Sequence, residues 1–466
     1  MPEFAFPLSI ADAATRLRAG EFTCVALAEY CLARISDLQP KLNAFITVTG
    51  DLALATARER DAELRSGRDR GPLHGIPIAH KDCYDTAGIR TTVGAEVFRT
   101  RVPQRDATLV QRLAAAGCVM LGKTQMNEFA AGMSGTNVFF GDAHTPWNTM
   151  RAPGGSSSGS ACAIAAQMCL GVSGTDAGGS IRLPAAWTGI VGLRPTYGRV
   201  SAAGAFPRSF SFDCAGPLAA SVGDLALLLE AMAGVDASDP ESLPDPVPGY
   251  SSAVPGDLRG LRIGIVRDFS LHDLDDDVAL ALRDALAALA GLGAELQDVS
   301  VLALAGGIDY RTIVDILLYE FNQILGAEYR ATPDREHRFG PVVRANLERG
   351  AAIRDEDYRA ALDARRPIVA EIRRAFTTLD VLVTPTAPMV ALALDAAEAE
   401  FDRARQFTIP FSLAGLPAIS VPCGFGGSGL PVGMQIVADR LQEPLVLRIA
   451  AAYEASTAFR RHAPVA

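Results

Sequence analysis

The chain has 466 residues, 49% hydrophobic and 21% charged, so it carries enough apolar content to bury a large core and lies outside the disordered class. Its 43 Lys+Arg against 53 Asp+Glu leave a net charge of −10, which repels phosphate backbones and anionic membranes. Neither a nucleic-acid partner nor a membrane is expected.

The opening Met1-Pro2-Glu3-Phe4 has an acid where a secretory signal has a basic region, and no apolar run reaches membrane-spanning length, so a cytoplasmic location is expected. Ser9 and Thr23 read as caps of two helices, the second with Leu27, Ala28, Cys31 and Ile35 on one face; residues 1–42 form an amino-terminal helical arm. From Asn43 onward, strand-like runs at 76–79, 118–121 and 190–193 alternate with helical stretches at 51–66, 107–116 and 159–169, which is an α/β pattern. Asp, Pro, Ser and Gly crowd 235–260, Pro255-Gly256 among them, and mark a surface connection. Beyond it come a strand at 261–266, a helix at 277–291 and a helical region at 308–377. Strands at 381–383, 418–421 and 432–437 then return the chain to the same sheet. The expected architecture is one α/β domain over 1–466, with a mixed central β-sheet covered by helices on both faces.

Eight cysteines without any C-x-x-C read as reduced, buried thiols, and the six histidines, His462 the last, have no metal-ligand spacing. No metal and no cofactor are expected. Only three of the 43 basic residues are lysines: Lys41, Lys81 and Lys123. Since arginine cannot act as a base in a protein, each lysine merits inspection.

Three motifs compete. Residues 117–124, GCVMLGKT, match a P-loop letter for letter, but a helix precedes Gly117, which reads as its C-cap, and the intervening residues are themselves a strand. Gly155-Ser156-Ser157-Ser158-Gly159 matches a nucleophile elbow centred on Ser157, but no apolar strand leads into it. The third pattern is larger. Residues 153–196 (PGGSSSGSACAIAAQMCLGVSGTDAGGSIRLPAAWTGIVGLRPT) hold two serine-bearing glycine loops, each before a helix, and so bring hydroxyls and free backbone N–H groups together. Lys81-Asp82 follows the strand at 75–79 in the same chain.

These residues resemble the amidase signature family of serine hydrolases. The likeness extends from LHGIPIAHKD at 73–82, through Gly122-Lys123-Thr124 and Asn127-Glu128-Phe129, to LAGLP at 413–417 and LPVGMQ at 430–435. It places the catalytic core at 73–200. It implies Ser180 as nucleophile, Ser156 as the bridging serine on a cis peptide, Lys81 as base, and the backbone N–H groups of Ala177, Gly178, Gly179 and Ser180 as the oxyanion site. With no histidine in place, Lys81 has to act as a neutral amine, and burial must bring its pKa down for that. Ser158 departs from the family's usual glycine and leaves Ser156 in register. Asp176 and Arg182 read as a loop-bracing pair, Asp82 as a structural partner and His80 as a core histidine. Phe139, Phe140, Phe206, Phe210 and Phe212 suit either an acyl or aryl pocket or ordinary core.

The resemblance implies an amidase that hydrolyses C–N bonds through an acyl-enzyme. The main expectation is a stand-alone enzyme acting on small or aryl amides, with carbamates and esters within the same chemistry, a small-molecule substrate as its partner and self-association left open. The alternative is the glutaminase component, the A subunit, of a tRNA-dependent amidotransferase. That component usually has an aspartate shortly before the late Ile-Pro to grip the glutamine amine, whereas this chain has Arg405 there, which argues against it. Membrane-bound fatty-acid amide hydrolases bring a transmembrane segment and allophanate hydrolases a further carboxy-terminal domain, and neither is expected here. A non-catalytic binding protein on this scaffold is a minor alternative.

Overall fold

The computed structural model describes residue 6 and residues 9–252, 257–305 and 310–458. Residues 1–4, Pro255-Gly256, 308–309 and His462, each named among the expectations above, lie outside the described residues.

Ser9 accepts the Asp12 N–H and opens the helix Ile10–Ala19, which Gly20 closes at φ 73. Thr23 Oγ1 likewise accepts the Ala26 N–H at the start of Cys24–Leu42. Both oxygens of Asp61 add a second cap, taking the N–H groups of Cys24 and Val25.

Among the described residues eleven strands form one sheet: β1 Phe45–Val48, β2 Pro77–Lys81, β3 Val119–Thr124, β4 Gly171–Thr175, β5 Val191–Arg194, β6 Ala215–Ala219, β7 Arg262–Ile265, β8 Glu295–Asp298, β9 Val381–Pro385, β10 Ala418–Phe425 and β11 Pro431–Val437. Their order is β1-β3-β2-β4-β6-β5-β10-β11-β9-β7-β8. β2 runs parallel to both β3 and β4, while β10 runs antiparallel to β5 and β11. The sheet is therefore mixed, and the late strands do rejoin the early ones. Helices cover it as the α/β pattern implies, Val222–Met232 packing on β6 and Glu443–Ser456 on β10. Among the described residues no helix is long and apolar enough to cross a membrane.

Two local outcomes refine the expectations from sequence. The helix expected at 159–169 is Ser158–Ala165, because Gln167 takes φ 57 and cannot continue it. The P-loop letters form no phosphate cradle. Gly122 sits inside β3, where a Cβ would meet Thr47 O at 2.2 Å, and the buried Lys123 donates to the Tyr84 carbonyl, to Thr91 Oγ1 at 2.9 Å and to Thr86 Oγ1 at 3.2 Å.

Candidate active site

β2 and β4 are parallel neighbours, so their carboxyl-terminal ends, Lys81 and Thr175, open at the same edge of the sheet. The Lys81 ammonium is fully buried and donates to two hydroxyls: Ser156 Oγ at 2.8 Å and Thr175 Oγ1 at 2.7 Å. Burial pushes its pKa down to about 8, against the opposing pull of Cys83, Asp213 and Asp176. Thr175 is a residue that motif reading misses. Its only signal in the sequence is its position at the end of an apolar run, immediately before the second glycine loop.

Ser156 enters through a cis Gly155–Ser156 peptide and is fully buried. A Cβ at Gly155 would meet Asn127 Oδ1 at 2.2 Å, so the first loop needs glycine there. The Ser157 N–H donates to the Ser180 carbonyl at 3.2 Å and ties the two glycine loops together. Ser157 itself turns its hydroxyl to the Thr175 carbonyl at 3.3 Å and opens the buried helix. Ser180 Oγ lies 4.0 Å from Met133 Sδ, and no hydrogen bond joins it to Ser156 Oγ. The structure thus brings Lys81 and Ser156 into contact and leaves the link from Ser156 to Ser180 unmade.

The second loop is braced from beneath. Arg182 forks onto Asp176 at 3.0 and 2.9 Å and reaches on to Gln435 Oε1 at 2.7 Å and Ser412 Oγ at 2.6 Å. Arg194 lies 3.6 Å from the same carboxylate. Burial alone would raise Asp176, but the two guanidiniums overrule it and hold the carboxyl well below the usual range. Asp176 also takes the N–H groups of Gly179 at 2.7 Å and Ile181 at 3.2 Å. That leaves the N–H groups of Ala177, Gly178 and Ser180 without an acceptor among the described residues. Gly179 has φ 127, and a Cβ there would meet Thr408 Oγ1 at 2.4 Å, so only glycine fits.

Asp82 and His80 are structural here. Asp82 accepts from Thr92 N at 2.9 Å and lies 3.9 Å from Lys123, while buried His80 meets Ser173 Oγ at 3.1 Å. Burial, with help from Lys123, pushes the imidazole down to about 3.

Ser180, Ala177 and Gly178 line a cavity of about 350 Å³. Residues 130–134, Thr136 and Arg208 form part of its wall, and other parts come from far along the chain: Asn346 and Arg349 from the helix Pro341–Ala352, Glu398, Phe401 and Asp402 from Glu398–Ala404, then Arg405. Arg405 donates to Asp402 Oδ1 at 2.5 Å. None of the five phenylalanines considered for an aryl pocket lines this cavity. Phe206 and Phe210 line a second one, and Phe212 is packed into the core. The lining is mixed: charged groups share it with apolar ones such as Met133, Leu317, Leu318 and Phe401.

The family model described as Amidase matches residues 26–447. The chain is 40% identical to the A subunit of glutamyl-tRNA(Gln) amidotransferase from Chloroflexus aurantiacus, over 98% of each chain. It is 42% identical to the protein of that name from Ralstonia nicotianae, over 97% of this chain and 98% of the relative. The structure of native peptide amidase from Stenotrophomonas maltophilia superposes with a TM-score of 0.88, at 35% identity over 99% of this chain and 100% of that one. The chain belongs to the amidase signature family, whose members hydrolyse amide C–N bonds.

The same relatives correct two expectations. A stand-alone amidase for small or aryl amides gives way to the alternative weighed beside it, because full-length relatives at 40% identity or more carry the name of the amidotransferase component. Arg405 misleads as a single aligned position, which does not show the helix that sets Asp402 beside it. The exclusion of nucleic acid, with a small molecule as sole partner, also falls. A net charge is a whole-chain sum and describes only what this chain binds by its own field.

Proposed function

We propose that this chain is the glutamine-hydrolysing component of a tRNA-dependent amidotransferase, releasing ammonia from the side-chain amide of glutamine within a cytoplasmic complex. The observation that carries this reading is the end-to-end likeness to the amidotransferase relatives. The charge of the Ser180 cavity supports it. Free glutamine is a zwitterion, and the cavity offers Asp402 and Glu398 for an ammonium and Arg208, Arg349 and Arg405 for a carboxylate. With a net charge of −10, this chain leaves the electrostatic grip on tRNA to its partners.

The chemistry would use the core residues at 73–200. Neutral Lys81 takes the Ser156 proton, Ser156 takes the Ser180 proton as the Ser180 hydroxyl turns from Met133 towards it, and Ser180 Oγ attacks the side-chain carbonyl. The N–H groups of Ala177, Gly178 and Ser180 hold the oxyanion, and that of Gly179 stays with Asp176 to keep the loop in place. Ser156 passes a proton to the nitrogen as the C–N bond breaks and regains one from Lys81, giving ammonia, a γ-glutamyl ester on Ser180 and a neutral lysine. Water then hydrolyses the ester to glutamate and frees the serine. Every step uses this chain's own side chains and backbone.

Ammonia release measured on three amides tests the reading. L-Glutamine should have a far lower KM than glutaramate, which lacks the ammonium, or 4-aminobutanamide, which lacks the carboxylate. Better turnover of a neutral anilide than of glutamine would overturn it.

A further inference from the structure

A second cavity, of about 320 Å³, is lined by Thr175, the other acceptor of the Lys81 ammonium. The loop at 207–213 serves both cavities. Arg208 faces the one containing Ser180, whereas Pro207, Ser209, Phe210 and Asp213 face the second. The chemistry of the two differs sharply. Among the described residues no lysine, arginine or histidine lines the second cavity; its walls carry the rings of Tyr197, Phe206 and Phe210 and the carboxylates of Asp213, Asp239 and Glu241.

Asp213 is the telling group. One carboxylate oxygen, Oδ2, accepts the N–H groups of Arg208 at 2.5 Å and Ser209 at 3.0 Å. The other has no hydrogen-bond partner among the described residues, although its neighbours in the wall include Ala205, Cys214 and Ala215. Arg208 and Lys81 are charged neighbours of Asp213, yet desolvation still pushes its carboxyl up to about 6, and a cation entering the chamber favours the charged form. Aromatic faces attract the same kind of guest. The volume is at the small end of the range for small-molecule sites, roughly 300 to 1,000 Å³.

We propose that this cavity is a second binding site, for an organic monocation with an apolar body the size of a phenylalkylamine, its ammonium against Asp213 and its body against Tyr197, Phe206 and Phe210. The inference stands on the cavity and does not require the glutamine reading. Bound there, the cation communicates with the catalytic lysine. Asp213, Asp176 and Cys83 are the groups that favour the charged form of Lys81, and Asp213 itself faces Arg208 and Lys81. A guest that neutralises Asp213 removes part of that support, so the lysine loses its proton at lower pH.

Calorimetric titration of the full-length protein with 2-phenylethylammonium, against 3-phenylpropionate as an anion of similar size, tests this. The cation should bind saturably and the anion should not. Asp213→Asn should weaken binding at least tenfold, and Phe210→Ala should weaken it severalfold; Phe210 is 56% exposed, so its removal spares the fold. Asp402→Asn, in the other cavity, should leave binding unchanged. The acid limb of the hydrolysis profile should move to lower pH when the cation saturates. Equal binding of the anion, indifference to both Asp213→Asn and Phe210→Ala, competition with the hydrolysed amide, or an unmoved acid limb would each overturn the proposal. The calorimetric comparisons need no turnover, so a failure of the glutamine reading leaves them intact.

Discussion

Two cavities flank the 207–213 loop, and they differ in character; of the two hydroxyls that Lys81 holds, only Thr175 lines one of them, the second. The one containing Ser180 mixes three arginines with two carboxylates around an amide-sized space, while the one bordered by Thr175 is aromatic and acidic, with no cation in its walls among the described residues. One loop, 207–213, separates them, and Glu320 pins it: the buried carboxylate accepts from the Ser209 and Ser211 hydroxyls and from Tyr358 OH at 2.9 Å. A net charge of −10 describes neither cavity. Local fields come from which side chains folding brings to one wall, and neighbouring walls of the same protein can select opposite charges.

The largest effect expected in the Ser180 cavity is that of Ser180→Ala. It should reduce ammonia release by roughly 10³-fold or more, since the covalent step disappears. Its melting temperature should stay within a few degrees of wild type, because the hydroxyl makes only a 4.0 Å contact with Met133. Lys81→Arg comes next, with a loss of roughly 10²-fold or more, the lower range of general-base effects, since arginine keeps the charge and has no accessible neutral form. The proposed mechanism needs neutral Lys81, so in the wild type kcat/KM should rise with pH through about 8, the value to which burial lowers the lysine.

Asp402→Asn should act on binding more than on chemistry. KM for glutamine should rise about tenfold, for the loss of one charged contact, with kcat nearly unchanged. Steady-state kinetics separates the two, and a fall in kcat alone would show that Asp402 does not grip the substrate. Thr175→Val, on the border between the cavities, should have the smallest effect. It removes an acceptor from the charged form of Lys81, so the acid limb should shift to lower pH, by under about one unit. A shift to higher pH would mean that Thr175 does not favour the ammonium.

These contrasts also show what the sequence can and cannot reveal. Lys81, Ser156 and Ser180 are legible because each lies in a glycine- or strand-defined motif, and the alternation of strands and helices forecasts a mixed sheet. The Asp176–Arg182 brace is legible for the same reason, as its members lie six positions apart. Asn346, Arg349 and Asp402 are not, since they lie more than 160 residues beyond Ser180 and reach its cavity only through the folded helices that carry them. Phe206 and Phe210 face the wrong cavity for an aryl pocket: around the loop between the chambers Arg208 turns to the Ser180 side, while residues 206, 207, 209 and 210 turn to the second. Arg405 misleads for a similar reason. Its ion pair with Asp402 spans three residues of a helix end, and an aligned position read alone does not show the partner.

The central claim is that Ser180, with Lys81 as base, takes the γ-glutamyl group of glutamine. Acid-quenching the wild-type protein during turnover of L-glutamine and mapping its peptides by mass spectrometry tests this most directly. A γ-glutamyl ester on Ser180, absent from the Lys81→Arg variant, is the predicted result. An adduct on Ser157, or sustained glutamine turnover by the Ser180→Ala variant, would contradict it.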